Sequence, residues 1–111
     1  MLDLRLYMLQ RLSAMLMAPF VLVHLGVMIY AIQGGLSAGE ILGRTRGSLP
    51  WFLFYGGFVA AASVHAAIGL RVIAAETLGL RGRALAVLTW GVGAVLLGLG
   101  MYAVFAVTVP A

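Results

Sequence analysis

Apolar residues run almost unbroken through three stretches of this chain, Leu12 to Gln33, Trp51 to Ala75 and Ala84 to Val109, and polar residues gather in the segments between them. Each run exceeds the roughly 20 residues that a helix needs to cross a bilayer, and none alternates as a half-buried strand would. The pattern predicts an all-α integral membrane protein with a single membrane-anchor domain over 1–111 and three transmembrane helices at about 12–33, 51–75 and 84–109. The first run is longer than the apolar core of a signal peptide and is expected to stay in the mature protein.

The first connection, Gly34 to Pro50, is rich in glycine and reads as a loop. Within it Ser37-Ala38-Gly39-Glu40 has the spacing of a capping box and predicts a short interfacial helix; it carries no chemistry. Pro19 removes a backbone hydrogen bond inside the first span, so a bend is expected there. Trp51, Tyr55, Tyr30 and Tyr102 lie towards span ends, where amphipathic rings anchor at the headgroups.

Composition narrows the class further. Of 111 residues, 64% are hydrophobic and 9% charged, more apolar surface than a soluble domain of this size can bury. The absence of cysteine excludes disulfides, Cys-ligated clusters and thiol catalysis within this chain. The net charge of +4 comes from seven arginines, set beside the apolar runs. That is a topology signal, and no nucleic-acid partner is expected. Arg5, Arg11, Arg71, Arg81 and Arg83 stand against Arg44 and Arg46, which predicts the N-terminus inside and the C-terminus outside.

In the second run Gly57, Ala61, His65 and Gly69 recur at every fourth position, on one slowly drifting stripe of a helix. Small residues there let a helix or a cofactor approach closely. An ionisable ring in hydrocarbon is costly and marks function by default, and imidazole is a haem-iron ligand. Two readings of His65 stand on these residues alone: it hydrogen-bonds a neighbour in a packing seam, or it ligates haem, with Gly69 leaving room for the macrocycle. In the third run Ala94 and Gly98, with Gly91, Gly93 and Gly100 nearby, are expected to serve helix packing.

The order His65, Gly69, Arg71, Glu76 (glycine at +4, arginine at +6, acid at +11) resembles the second transmembrane helix of the cytochrome b membrane-anchor subunits of succinate dehydrogenase and fumarate reductase. Arg11-Leu12-Ser13-Ala14 is a second likeness to that family. It stands where members carry His-Arg-x-Ser-Gly at the inner end of helix one, with Gln10 in place of the histidine, Ala14 in place of the glycine, and Tyr7 where some members have a quinone-side serine.

The resemblance implies a multi-pass subunit of a bacterial inner (cytoplasmic) membrane that binds haem b through His65, with Arg11 and Arg71 towards the propionates. It implies a quinone site at the inner ends of the spans that draws on Arg11, Ser13, Tyr7 and Glu76. Its implied partners are a flavoprotein subunit, an iron–sulfur subunit, and a second membrane-anchor subunit or a second copy of this chain to complete the haem site. Electrons then pass between the iron–sulfur subunit and membrane quinone by way of haem b. With no flavin-binding glycine motif and no cluster cysteines, the chain is expected to be non-catalytic alone. For Arg71, snorkelling to the headgroups is the competing reading, more so for Arg81 and Arg83.

His24 has two readings. It is either a satisfied interior or proton-handling histidine, or, as two-haem members of the wider family imply, an iron ligand to a second, distal haem. Helix rise from Arg11 and Arg71 puts His24 about 10 Å away from His65 in depth, too far for the two to grip one iron. Two other classes compete with the anchor reading: a cofactor-free structural subunit of another membrane complex, and a small transporter. A proton-coupled drug exporter needs a carboxylate in mid-span, and Asp3, Glu40 and Glu76 all fall at or beyond span ends.

Overall fold

The computed structural model describes residues 2–109. Four helices make up these residues in the order α1 (Leu2–Gly34), α2 (Ala38–Thr45), α3 (Leu49–Thr77) and α4 (Gly82–Thr108). Leu4–Gly34 of α1, together with α3 and α4, are long and apolar enough to cross a membrane. The protein is thus all-helical, with the character of a multi-pass membrane protein.

Helix α1 begins about three turns before the apolar run does. Leu4, Arg5, Leu6, Met8, Leu9 and Gln10 are good helix formers, and they extend a helix already nucleated in the apolar run, so no new nucleation cost arises. Its 33 residues span about 50 Å against about 30 Å of hydrocarbon, so the turns around Arg5 project past the apolar layer. The helix continues through Pro19.

Helix α3 lies between the other two long helices and packs on both. It contributes buried Ala61, Ser63, Ala67, Ile68 and Ala74; Ser13 of α1 and Leu85, Val104 and Thr108 of α4 are also buried. This core is small because small residues bring the backbones together. A Cβ added to Gly57 would meet Phe20 Cζ at 3.0 Å, and one added to Gly93 would meet Ala67 at 3.5 Å. Gly100 lies hard against Val59, with no space for a side chain. Phe20 fills the α1–α3 seam, its ring centroid 5.5 Å from Phe54 and 5.8 Å from Phe58.

The glycines that close the α3–α4 contact are Gly93 and Gly100, two turns apart on one face. Ala94 is exposed and Gly98 and Gly91 have open space beside them. The Ala94–Gly98 pair expected to pack therefore faces outward. The reason is helical phase: Gly98 stands about 140° round the axis from Gly93. Much of the large apolar surface is exposed too, including Trp90 at 78% and Leu22 at 69%, as suits faces turned to lipid or to another membrane helix.

Both connections are ordered by hydrogen bonds. Ser37 caps α2 as the sequence predicts, its Oγ accepting from Glu40 N at 3.1 Å and donating to Glu40 Oε1 at 2.7 Å, so the Glu40 carboxylate takes the Ser37 hydroxyl where the reciprocal capping-box bond would use the Ser37 backbone N–H. The chain reaches it through Gly35 at φ 122°, where the Glu40 carboxylate occupies the space of a Cβ and only glycine fits. Thr45 Oγ1 donates to Val107 O at 2.8 Å and Gly47 N to Thr108 O at 2.7 Å, tying this connection across the end of α4. At the other end Leu78 N and Leu80 N both donate to Ala74 O, with Gly79 at φ 68° closing α3.

A histidine seam between two membrane helices

His65 projects from α3 towards α1 and is half-buried. Its Nδ1 lies 3.4 Å from Ser13 Oγ, a long contact that joins the His65–Glu76 and Arg11–Ala14 motifs across 52 residues of sequence. Ser13 is only 4% exposed, and its hydroxyl donates to Gln10 O at 2.9 Å. That proton is spent on the backbone, so towards His65 the Ser13 oxygen offers a lone pair. A His65 tautomer with its proton on Nδ1 matches that lone pair.

Gln10 completes the seam. Its Nε2 lies over Gly69, 3.6 Å from where a Cβ would be, and its Oε1 is buried without a hydrogen-bond partner. The small-residue stripe is thus used by α1 itself: Gly57 takes Phe20, His65 meets Ser13, and Gly69 takes Gln10, so the space over Gly69 expected to admit a macrocycle is filled by the Gln10 side chain. An acceptor left orphaned in this environment is costly, so the Gln10 end of the seam has polar capacity that the described residues do not satisfy.

Imidazole ligates haem iron through a ring-nitrogen lone pair held in a fixed direction. His65 suits that role: with the proton on Nδ1 towards Ser13, Nε2 would carry the free lone pair. Among the described residues no three His, Asp or Glu side chains cluster to hold a bare metal ion. A lone histidine is suited to iron only where a porphyrin supplies the equatorial nitrogens.

His24 stands apart from this seam. Its ring is set edge-on against Phe58 at 5.5 Å and Tyr55 at 6.2 Å. These residues precede His65 by seven to ten positions on α3, or about 10–15 Å of helix rise. Tyr55, expected as a headgroup anchor, instead packs inward between His24 and Trp51, whose ring it stacks on at 5.5 Å. A cleft of about 430 Å³ opens beside His24 and is lined by Ile41 and Thr45 of α2 as well as by Val59, Ala62 and Val104. Helix α2, from which no chemistry was expected, contributes lining to this cleft through Ile41 and Thr45, whose i, i+4 spacing after a capped start was the available signal.

The remaining candidates lie on three different surfaces. Arg11 is exposed on the face of α1 opposite Ser13, its Nη1 donating to Tyr7 Oη at 3.3 Å with the guanidinium 5.7 Å from the Tyr7 ring centre. Arg71 is half-buried and donates to Thr89 Oγ1 at 3.2 Å; Thr89 in turn donates to Leu85 O at 2.8 Å. Glu76 is exposed in the last turn of α3. The structure thus brings together His65 and Ser13, pairs Arg11 with Tyr7, and leaves Arg71, Glu76 and His24 separate. Gln10 and Thr89 were not anticipated as partners, because helix phase across two chains of contacts is not readable from one helix at a time.

No curated protein and no solved structure matches the chain significantly. The sequence model of the succinate dehydrogenase/fumarate reductase transmembrane subunits does match it, over residues 2–108 and so through all three long helices and the histidine seam. The chain belongs to the succinate dehydrogenase/fumarate reductase transmembrane subunit family.

Proposed function

We propose that this chain is the cytochrome b membrane anchor of a succinate dehydrogenase or fumarate reductase complex in a bacterial inner membrane. His65 is one axial ligand of a b-type haem. The observation that carries this reading is the half-buried His65 ring, with Nδ1 against the back-bonded Ser13 hydroxyl, in a chain of this family. The haem supplies one-electron transfer between the iron–sulfur subunit and membrane quinone; the protein's task is to hold it, bury it and set its potential.

One histidine makes half of a bis-histidine site, so the second ligand comes from another membrane subunit or a second copy of this chain. The flavoprotein and iron–sulfur subunits dock on the inner face, beside Arg81 and Arg83. Arg11 and Tyr7, exposed as a pair on α1, offer hydrogen bonds to quinone oxygens or haem propionates, and Glu76 lies at the same inner end. Arg71, held by Thr89, faces the propionates or the headgroups. His24 with its aromatic cleft is the candidate for a distal second haem.

The test is the reduced-minus-oxidised absorption spectrum of the assembled complex. His65→Ala is expected to abolish or shift the haem band while the chain remains in the membrane with its partners. An unchanged spectrum in a fully assembled variant would falsify the assignment.

A further inference from the structure

We propose that Ser13 is a positioning residue for His65: its hydroxyl accepts a hydrogen bond from His65 Nδ1–H, fixes which ring nitrogen is free, and raises the basicity of that nitrogen towards haem iron. The inference deepens the haem reading above and rests on it.

Three observations on the molecule carry it. First, Ser13 cannot act as the donor in this pair while its proton is committed to Gln10 O at 2.9 Å. The nitrogen 3.4 Å away must then bring the proton itself. Second, Ser13 is buried at 4% exposure, so its oxygen does not exchange this contact for one with bulk water.

Third, the same construction recurs where α3 meets α4. Thr89 Oγ1 gives its proton to Leu85 O and offers its lone pair to Arg71 Nη1. There a back-bonded hydroxyl on a flanking helix receives a nitrogen donor from α3, the arrangement assigned here to Ser13 and His65. By contrast Thr77 and Thr108 back-bond in the same manner and receive no side-chain donor among the described residues. Satisfying a hydroxyl inside a helix therefore does not by itself require a nitrogen opposite it.

The chemical consequence has a direction. An acceptor on Nδ1–H gives the imidazole partial imidazolate character, which favours ferric over ferrous iron. Removing the acceptor should favour the ferrous form, so the midpoint potential should rise. Outer-shell partners of metal-bound histidines typically affect affinity by about 10- to 100-fold, and haem retention should fall as well.

The experiment compares the assembled complex carrying wild-type chain, Ser13→Ala, Ser13→Cys, Ser13→Thr and His65→Ala, reading haem per complex and the midpoint by potentiometric titration. Ser13→Ala is expected to keep a haem band and shift the ferric/ferrous equilibrium towards ferrous by about threefold to tenfold, roughly 28–59 mV for one electron. Ser13→Cys, nearly isosteric but a weak acceptor, should move the potential the same way and stands in if the alanine variant does not assemble. Ser13→Thr keeps the hydroxyl and should restore the wild-type value.

A wild-type potential in a haem-loaded Ser13→Ala or Ser13→Cys complex overturns the proposal while leaving His65 as ligand. So does an equal shift in Ser13→Thr, which would assign the effect to packing. An intact haem spectrum in His65→Ala removes the haem reading and this inference with it.

Discussion

At the scale of single residues, the two ends of the Arg11-Leu12-Ser13 segment do different work. Two positions on an α-helix are separated by about 200°, so a buried Ser13 on the α3 side requires an exposed Arg11. The guanidinium then lies over Tyr7, one turn back, where the pair forms a polar spot on an apolar face. Arg11→Ala should lower quinone reduction by the assembled complex about tenfold, as expected for loss of a hydrogen bond to a charged group. Haem content should not change, and electron flow from the flavoprotein to an artificial soluble acceptor should be preserved. Equal loss of both activities would assign Arg11 to assembly, and loss of neither would make it a surface anchor.

At the scale of helices, the arrangement rests on which small residues are covered. Gly57 receives Phe20 and Gly100 receives Val59, whereas Gly98 has nothing within 4 Å. A larger side chain at Gly57 must displace an aromatic ring already held between Phe54 and Phe58, an overpacking cost of about 1–3 kcal/mol. Gly57→Val should therefore lower the thermal unfolding temperature of the purified subunit in detergent. Gly98→Val should leave it unchanged, since its side chain enters open space. A drop of the same size for both would contradict the α1–α3 and α3–α4 seams described here.

At the scale of the whole molecule, 47 Å along its longest axis, the polar features separate along the membrane normal. Arg71, Glu76, Arg81 and Arg83 lie at one end of the bundle. Helix α2, tied to the end of α4 by Thr45 and Gly47, closes the other. The arginine asymmetry predicts that the first end faces the cytoplasm. Single cysteines at Gly39, which has no neighbour within 4 Å, and at Leu78, 73% exposed in the α3–α4 turn, should label from opposite sides with an impermeant reagent. Gly39→Cys should react in intact cells and Leu78→Cys only after permeabilisation. The reverse pattern would invert the subunit and move the docking face with it.

Much of this was legible from the chain before any coordinates. Three long apolar runs specify three spans because hydrocarbon tolerates few other backbone structures. The Ser37–Glu40 cap was equally readable, since a capping box is made by residues three apart. The spacing of His65, Gly69, Arg71 and Glu76 and of the Arg11–Ala14 segment pointed to the family.

Local sequence determines elements and the relative phase of residues within one helix; it does not determine which face of that helix another helix will occupy. Only the tertiary structure decided that Gln10 and Phe20 fill the small-residue stripe, that Gly93 and Gly100 rather than Ala94 and Gly98 close the α3–α4 contact, and that Tyr55 turns inward to His24. It also decided that Ser13 meets His65. Contacts of that kind depend on the rotation and offset of two helices together, and those are set by side-chain volumes summed over a whole seam.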